Sequence, residues 1–439
     1  MRKKAIINVE DLMIDPIVLK GFRDSLPGEE IPKKNIERKL ESVFESFGFV
    51  PIDTPVLEYE SVLLGKGGGE TDKQIFHFED NGGRKVAMRF DLTVPFARFL
   101  ALHHAELPLP FKRYHIAKAW RGENPQKGRY REFIQCDFDI VGVDNAESDF
   151  EILSLMYASF HALGIENVCF HVANRALFNE FLETIGISEK SIDILRTVDK
   201  LRKIGKDEVR NLLVEITGDE KKSDMIISYI TSGDGKDFEA TLDAIVSLIG
   251  KETESSERMR RIFSYLKENG IEKFYVYDPS ITRGLDYYTG IVYETFLTDY
   301  EAIGSVCSGG RYNNLASLYT KEVLPGVGAS IGLDRLLAAL TELKSPLAKD
   351  TKSADLVILY KPDEAEKAIS TAFSLRMEGI KTDIYLLPQK KAKAQYEYAE
   401  KLSIPFALSF KDGLYELKNL KTRETSEVDS LSRVAELCR

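Results

Sequence analysis

Two groups of arginines with acidic and aromatic neighbours are the residues of this sequence best suited to chemistry. Residues 121–131 read RGENPQKGRYR, and residues 283–290 read RGLDYYTG. An arginine presents a rigid fork of donors that can grip a phosphate. Two tyrosine hydroxyls and a carboxylate can read a small polar ligand by hydrogen bonds. The first group therefore suggests phosphate binding, and the second suggests recognition of a small polar molecule.

Two glycine-rich segments follow. Residues 304–312 read GSVCSGGRY and residues 326–335 read GVGASIGLDR, and glycines let a ligand approach the backbone. Neither segment matches G-x-G-x-x-G or G-x-x-x-x-G-K-[ST], which disfavours the nucleotide-binding folds that carry those motifs. The four segments contain many arginines but no obvious nucleophile, metal cluster or Ser/His/Asp set. This is typical of phosphoryl-type chemistry, in which positioning and charge neutralisation do most of the catalysis.

A purely structural interpretation stays open on spacing alone. Residues 121–131 also suit a solvated hairpin tip with ordinary surface arginines. The tyrosine pair also suits the edge of a sheet, in which case Arg283 and Asp286 would form a plain ion pair.

Hydrophobic periodicity predicts the elements that position these residues. Apolar residues at steps of three and four over 33–47 indicate an amphipathic helix that Gly48 ends. Residues 175–270 have a charge-rich, helical pattern. The predicted strands pair across helical intervals, so we expect an α+β fold with an antiparallel sheet flanked by helices. Further elements are predicted as strands at 49–55, 111–119, 131–141, 274–276, 291–297, 304–310 (strand or turn) and 325–331, a strand leading into a helix over 86–102, and helices at 147–163 and 332–343.

The pattern changes at 344–353, which contains Pro346 and several polar residues. After it, strands and helices alternate, which predicts a small α/β domain with a parallel sheet. Its elements are predicted as strands at 356–360, 382–387 and 406–410 and helices at 363–378 and 390–402. The predicted domains are an N-terminal extension (1–20), a large domain (21–343) with a helical insertion (about 175–270), a linker (344–353) and the small domain (354–439).

The charge of the chain is unevenly distributed. The 439 residues carry a formal net charge of −10. Residues 354–439 hold 14 of the 60 basic and 14 of the 70 acidic residues, so the other 353 residues carry the whole excess. An acidic chain taken alone argues against nucleic acid, which favours basic surfaces. The C-terminal segment is the part that would repel a polyanion least.

The composition also bears on location. No apolar run approaches the roughly 20 residues that a membrane span needs, and residues 1–20 resemble neither a secretory signal nor a transit peptide. We therefore expect a cytoplasmic protein with no membrane association. The four cysteines lie far apart, which favours free thiols. The six histidines show no ligand spacing, so no bound structural metal is expected.

The motifs resemble those of the class II aminoacyl-tRNA synthetases. Pro55, after the first helix, is similar to their first motif, at the dimer interface. Residues 111–139, with Arg121 and Glu123, resemble the second motif, and residues 332–335 (GLDR) resemble the third. The resemblance covers residues 21–439 and implies the catalytic core of that class, a homodimer, and ATP with Mg²⁺.

Within that class, three segments resemble histidine-specific signatures. They are residues 283–290, residues 308–312 (SGGRY) and the substrate segment 88–93 (MRFDLT). This implies L-histidine, ATP and tRNA(His) as partners, and a reaction in which the histidine carboxylate attacks the α-phosphorus of ATP. A carboxylate is already ionised at neutral pH, so no general base is required. Arginines would offset the charge repulsion between carboxylate and phosphate.

The resemblance implies a role for each matching position. Asp91 would hold the histidine ammonium group, with Thr93 beside it, and Gln135 and Asp139 would bind the amino and imidazole groups. The walls of the histidine pocket would be Tyr287, Tyr288 and Tyr312. The ATP site would consist of Arg121 and Arg283 on the α-phosphate, Phe133 and Arg335 around adenine, and Glu123 facing adenine or the tRNA end. The residues expected to be catalytic are Arg283, Arg121 and Gln135.

The C-terminal segment resembles the anticodon-binding domain of these enzymes. Lys390, Lys391 and Lys393 would contact tRNA phosphates, although a solvated helix start explains them equally well. The chain departs from the family at Asn313, where aspartate is more frequent, and we expect a mild effect on local hydrogen bonding. A second function also fits the core: a non-catalytic paralogue that senses histidine as the regulatory subunit of ATP phosphoribosyltransferase.

Overall fold

The computed structural model describes residues 14–64, 74–282, 287–388 and 391–439. The chain forms two units, one made of residues up to Asp24 and Ile36–Leu343, the other of Ser25–Asn35 and Lys344–Arg439. The sequence division had placed 25–35 in the large domain, but the structure groups this segment with the C-terminal unit. One contact within that unit is the hydrogen bond that Asn35 Nδ2 donates to Asp350 Oδ2 at 3.2 Å.

The large unit is an α+β structure, as predicted. Its strands are β1 (Val50–Pro51), β2 (Leu57–Tyr59), β3 (His77–Glu79), β4 (Lys85–Met88), β5 (Phe111–Trp120), β6 (Glu132–Val141), β7 (Val168–Asn174), β8 (Tyr275–Tyr277), β9 (Ile291–Leu297), β10 (Cys307–Arg311) and β11 (Gly326–Gly332). Among the described residues, eight of these strands form the main sheet in the order β1-β5-β6-β11-β10-β9-β7-β8, and β2-β4-β3 form a small one. The main sheet is antiparallel except for its outermost pairs, β1–β5 and β7–β8.

Helices cover the sheet and form the insertion. Those outside the insertion are α1 (Pro27–Ser46), α2 (Glu60–Leu64), α3 (Thr93–His103), α4 (Ala146–Ala162) and α12 (Leu333–Glu342). The insertion is helical, as predicted, and contains α5 (Arg175–Thr184), α6 (Ser191–Val198), α7 (Leu201–Ile204), α8 (Lys206–Thr217), α9 (Glu220–Ile230), α10 (Phe238–Ile249) and α11 (Glu254–Glu268). Gly48, with φ +78°, follows the end of α1 as expected.

Two predicted strands are shorter than expected. The strand predicted at 49–55 is reduced to Val50–Pro51, because Pro51 and Pro55 have no N–H to donate to a ladder. The glycine-rich segment 304–310 forms a strand only from Cys307 onward. Gly304 has φ +80°, a left-handed conformation that turns the chain before the strand begins.

The C-terminal unit has a mixed sheet, so the prediction of a parallel sheet was wrong in part. Its elements are α13 (Pro346–Lys349), β12 (Leu356–Ile358), α14 (Ala365–Met377), β13 (Thr382–Ile384), α15 (Ala392–Lys401), β14 (Phe406–Lys411), β15 (Leu414–Asn419), β16 (Thr425–Val428) and α16 (Leu431–Cys438). Strands β13, β12 and β14 are parallel, but β15 and β16 continue the sheet antiparallel. Asp412 and Gly413 both have positive φ, as the two central residues of a type I′ hairpin turn require.

Two properties follow from the described residues directly. No helix among them combines the length and apolar character that crossing a membrane requires. The prediction of free thiols is confirmed for Cys136, Cys169, Cys307 and Cys438.

A buried ion network joins the insertion to the main sheet. Asp149, at the start of α4, is fully buried and accepts hydrogen bonds from Arg311 Nε at 2.9 Å and Arg258 Nε at 2.7 Å. Arg311 ends β10 and also donates to Ser148 Oγ at 2.8 Å, while Arg258 belongs to α11. One carboxylate therefore holds two guanidinium groups from distant parts of the chain.

Asn313 belongs to the edge of this network. Its Oδ1 accepts from Arg311 Nη1 at 3.2 Å, and its Nδ2 donates to Asp144 Oδ2 at 2.6 Å. An amide satisfies both neighbours at once. An aspartate would place a second carboxylate against Asp144, so asparagine suits this chain.

Substitution of Asp149 by alanine should strongly destabilise the protein. It would leave the buried guanidinium of Arg311 and the partly buried guanidinium of Arg258 without their shared carboxylate, and breaking a buried ion pair in this way costs about 3–5 kcal/mol. The measurement is the free energy of unfolding in urea. Asp224→Ala is the control, because Asp224 pairs with Arg210 on the surface, where ion pairs contribute little. Equal midpoints for the two variants would contradict the assignment.

Candidate active site

A cavity of about 430 Å³ lies on one face of the main sheet. The described residues predicted for the histidine and ATP sites all line it: Asp91, Thr93, Arg121, Glu123, Phe133, Gln135, Asp139, Tyr287, Tyr288, Tyr312 and Arg335. Arg283 lies outside the described residues. The structure therefore brings side chains from five separate segments to one cavity.

The lysines predicted for tRNA contact belong to the C-terminal unit. Lys391 and Lys393 are exposed at the start of α15, and Lys393 Nζ lies 3.8 Å from Glu397 Oε1. Lys390 lies outside the described residues.

Strand register fixes the floor of the cavity. Asp137 lies opposite Ser330, Ser330 opposite Ser308, and Ser308 opposite Glu294, across β6, β11, β10 and β9. Directly opposed residues of neighbouring antiparallel strands point to the same face. Their side chains therefore form one row across the cavity, which all four residues line.

Alternation along β6 adds a row on each side of Asp137. Gln135, Asp137 and Asp139 are two residues apart and therefore share a face. Asp139 lies opposite Gly328, and Gln135 lies opposite Gly332. The floor consequently has three rows, with Asp139 at one end and Gln135 at the other.

A fully buried arginine lies beside the Asp139 end. Arg113, on β5, places Nη2 2.7 Å from Asp139 Oδ2 and 3.9 Å from Asp137 Oδ2. Its guanidinium carbon lies 4.1 Å from the centre of the Phe96 ring. Burial raises the pKa of the Asp139 carboxyl, and the charge of Arg113 and a hydrogen bond from the Tyr312 hydroxyl work against that rise. Asp139 is thus held between a cation and a phenol.

Asp137 is the more weakly compensated acid. Burial raises its pKa to about 7; Arg113 opposes the rise and the nearby Asp139 carboxylate adds to it. One cation cannot fully offset two buried carboxylates. Asp137 therefore holds a proton over much of the range in which an ordinary aspartate is ionised.

Three buried oxygens at the cavity have no hydrogen-bond partner in the described structure, and one of them, Asp139 Oδ2, is paired with Arg113. The other two are Asp91 Oδ2 and Gln135 Oε1. Asp91 Oδ1 accepts from the Val94 amide at 3.0 Å. Gln135 Nε2 donates to Ser330 Oγ at 2.9 Å, which directs Oε1 away from that contact. A buried polar group without a partner is costly, so both oxygens are ready to accept from a bound donor.

Glycines on β10 and β11 make room for the tyrosines and Asp139. A Cβ at Gly328 would lie 1.9 Å from Asp139 Oδ1, and one at Gly326 would lie 2.4 Å from Tyr312 Cε2. At Gly310 it would lie 2.8 Å from Tyr288 Cδ1. The glycine-rich segments thus allow large side chains to lie directly on the strands.

Arginines lie toward the opposite end. Arg121 donates from Nε to the Phe90 carbonyl at 3.0 Å, and its guanidinium lies 5.1 Å from the Phe133 ring. Arg335 donates from Nη1 to the Ser305 carbonyl at 2.6 Å. Burial lowers the pKa of Arg335 to about 10, and the charges of Arg129 and Arg121 add to this effect. An anion bound among these arginines would relieve their mutual repulsion.

Sequence reasoning missed several residues of the cavity. Alternation from Gln135 to Asp139 could have identified Asp137, which lies midway between them. Arg113 required the register of β5 with β6, in which it lies opposite Asp139. Arg202 required knowledge of where the insertion contacts the cavity, which no local pattern gives.

An antiparallel sheet flanked by helices, with the arginines of the second and third motifs at one cavity, is the class II aminoacyl-tRNA synthetase core that these motifs imply, and this chain has that fold. The family model described as histidyl-tRNA synthetase matches residues 21–336. The histidine–tRNA ligase of Treponema denticola is 54% identical over 402 residues, which cover 90% of this chain and 89% of that protein.

Two further comparisons agree. The histidine–tRNA ligase of Treponema pallidum (strain Nichols) is 45% identical over 430 residues, 94% of this chain and 96% of that protein. A crystal structure of histidyl-tRNA synthetase from Nostoc sp. PCC 7120 is similar with a TM-score of 0.86 at 28% identity, covering 97% of this chain and 99% of that one. The chain belongs to the histidyl-tRNA synthetase family, which confirms the resemblance of its motifs.

Substitution of Asp137 by asparagine should change how stability depends on pH. The unfolded chain ionises Asp137 near its ordinary pKa of 3.8, whereas the folded protein keeps the proton until about pH 7. Between these values the folded state binds more protons, so this group lowers stability as pH rises. The free energy of unfolding in urea is measured for both proteins at pH 5 and pH 8. The difference, Asp137→Asn minus unsubstituted protein, should be larger at pH 8 than at pH 5. A pH-independent difference would contradict the raised pKa.

Proposed function

We propose that the cavity activates L-histidine with ATP, forming histidyl-adenylate and pyrophosphate, and then transfers the histidyl group to the 3′ end of tRNA(His). The separation of charge within the cavity carries this proposal. Buried carboxylates at one end suit the cationic groups of an amino acid, and arginines at the other suit the phosphates of a nucleotide. The amino acid's carboxylate would then meet the α-phosphate between the two ends.

Histidine would bind at the acidic end. Asp91 Oδ2 is a free acceptor for the ammonium group, and Thr93 lies beside it on the cavity wall. Gln135 Oε1 is a second free acceptor for a substrate N–H. The imidazole would reach Asp139, and its ring would pack against Tyr312 and the two adjacent tyrosines Tyr287 and Tyr288, whose rings lie 4.6 Å apart.

ATP would bind at the arginine end. Arg121 and, by the family resemblance, Arg283 would hold the α-phosphate. Phe133 and Arg335 would enclose the adenine ring, and Glu123 would face adenine or the tRNA end. The histidine carboxylate is already a nucleophile, so the residues need only orient it and offset repulsion between two anions.

Mg²⁺ would accompany the phosphates. A hard cation takes carboxylate oxygens as ligands, and Glu294 supplies a carboxylate to the floor of the cavity. Its negative charge acts on Arg335, so it lies near the arginine end. Bound there, the ion would neutralise phosphate charge during adenylate formation.

The remaining partners are proposed from the family and from the surface. Lys390, Lys391 and Lys393 would contact tRNA phosphates from an anticodon-binding domain at 354–439, joined by a linker at 344–353. Large apolar side chains are exposed on β1, β2, β3 and the segment between β1 and β2; they would form the interface of a homodimer. They are Val50, Val56, Leu57, Tyr59 and Phe78. Such a translation enzyme would work in the cytoplasm.

The histidine-sensing alternative explains only half of the cavity. A sensor needs the acidic end, but it has no use for an arginine-rich end. Arg121, Arg129 and Arg335 line that end together with Phe133. This arrangement favours the ligase.

Histidine-dependent exchange of labelled pyrophosphate into ATP tests the function. We expect exchange with L-histidine and with none of the other nineteen standard amino acids, because only histidine brings both an ammonium group and an imidazole to the acidic end. If no amino acid supports exchange, the ligase proposal is contradicted. Exchange with a different amino acid would overturn only the specificity.

Gly328→Ala should selectively weaken histidine binding. The added methyl group would lie 1.9 Å from Asp139 Oδ1 and 2.7 Å from the Phe138 carbonyl, so Asp139 must move. A displaced charged hydrogen-bonding group costs about 1.5–3 kcal/mol, which predicts a rise of about tenfold or more in the KM for histidine. The KM for ATP should change little.

The matched control is Gly28→Ala, since a Cβ at Gly28 meets nothing within 4 Å. Both variants are compared by pyrophosphate exchange after circular dichroism confirms their folding. A folded Gly328→Ala variant with an unchanged KM for histidine would remove Asp139 from the proposed pocket.

A further inference from the structure

Arg202, in the helical insertion, reaches the same cavity as the catalytic core. It belongs to the short helix α7 and lines the cavity together with Phe296. Its guanidinium carbon lies 4.3 Å from the centre of the Phe296 ring, and its Nη2 donates to Asp278 Oδ2 at 2.8 Å. The side chain is nevertheless 48% exposed. It is therefore anchored at one nitrogen and still open to a ligand.

Strand register places Arg202 at the ATP end of the cavity. Glu294 lies in the same row as Asp137, as described above. Phe296 lies two residues after Glu294 on β9. Continuing the strand register across the sheet places Phe296 in the same row as Gly332 on β11 and Gln135 on β6. The Asp139 row lies on the other side of Glu294. Arg202 thus covers the row farthest from Asp139, the residue proposed to bind the imidazole.

The ion pair with Asp278 leaves the charge of Arg202 available. Asp278 also accepts from His171 Nδ1 at 2.8 Å. Burial disfavours the charged form of His171, but the hydrogen bonds with Asp278 and Cys169 outweigh it and raise the His171 pKa to about 9. His171 is then a cation at neutral pH and already offsets the Asp278 carboxylate. The group of Asp278, His171 and Arg202 carries a net positive charge.

The donors of Arg202 point to an anionic ligand. In the described structure its hydrogen bond and ion pair with Asp278 are made through Nη2, and a guanidinium offers five N–H donors in all. Arg121, Arg129 and Arg335 line the same cavity. A cavity lined by four guanidinium groups suits an anion with several charges, and a polyphosphate has them.

We propose that Arg202 binds the β- and γ-phosphates of ATP and the departing pyrophosphate, so that the insertion supplies a residue to the ATP site. This inference rests on the proposed adenylate-forming activity and names a further residue for it. Arg202 makes and breaks no covalent bond. It binds the polyphosphate from the side opposite the loop between β5 and β6, and it would hold pyrophosphate until release.

Arg202→Ala, assayed by histidine-dependent pyrophosphate exchange in the full-length protein, tests the inference. A charge-assisted hydrogen bond is worth enough that we expect the KM for ATP and for pyrophosphate to rise about ten- to a hundred-fold. The dissociation constant for histidine alone, measured by calorimetry without ATP, should not change. Arg202→Lys, which keeps the charge but not the fork, should recover part of the loss.

Asp278→Asn separates phosphate binding from a structural ion pair. Asparagine keeps an oxygen for the Ser280 amide and hydroxyl, which Asp278 Oδ1 accepts at 3.0 and 2.5 Å, but it removes the charge that attracts Arg202. If Arg202 binds phosphate, Asp278→Asn should not raise the KM for ATP. If the ion pair only braces the insertion, both variants should raise it equally and lower the melting temperature together.

The control is Arg210→Ala on α8, because Arg210 pairs with Asp224 on the surface of the same insertion and should not affect either KM. An unchanged KM for ATP in Arg202→Ala, or an equal loss of histidine affinity, would overturn the inference. If Arg202→Ala does not fold, Arg202→Gln is measured with the same expectation. Lack of exchange in the unsubstituted protein would instead contradict the proposed function itself.

Discussion

The charge of Arg113, buried beside the cavity, is the constraint on which the rest of the site depends. Asp139 lies 2.7 Å from its Nη2 and Asp137 lies 3.9 Å away. A buried guanidinium must have a carboxylate partner, so removal of Asp139 would leave an unbalanced buried charge. Asp91 and Asp137 are further acids at the same cavity, and together they would attract a cationic amino acid.

The glycines complete this arrangement by shape. Asp139 can approach β11 only because Gly328 has no side chain, and Tyr312 lies against Gly326 for the same reason. The carboxylate that balances Arg113 therefore occupies space that is open only because residue 328 is a glycine. At the arginine end, Arg121 and Arg335 are positioned by hydrogen bonds to carbonyl groups.

Much of the fold and the motif residues could be predicted from the sequence, because periodicity and motifs are local. Arg121 and Arg335 lie where the motifs imply. Asp137 and Arg113 escaped because their role depends on strand register, and Arg202 because it depends on a contact between distant segments. The hairpin turn at Asp412–Gly413 could have been predicted, because Asp-Gly is a strong turn signal. The alternation of strands and helices instead favoured a purely parallel sheet. The roles of the site residues stay predictions, and Arg283 and Lys390 lie outside the described residues.

The sharing of Asp149 between Arg311 and Arg258 has a consequence for cooperativity. Arg311 precedes Tyr312 on the cavity wall, and Arg258 belongs to the insertion. Local opening of α11 would strip Asp149 of one cation while it remains buried beside the other. Sub-global unfolding of the insertion should therefore be penalised, and amide hydrogens in α11 and β10 should be protected together. In hydrogen exchange the insertion would then behave as part of the core.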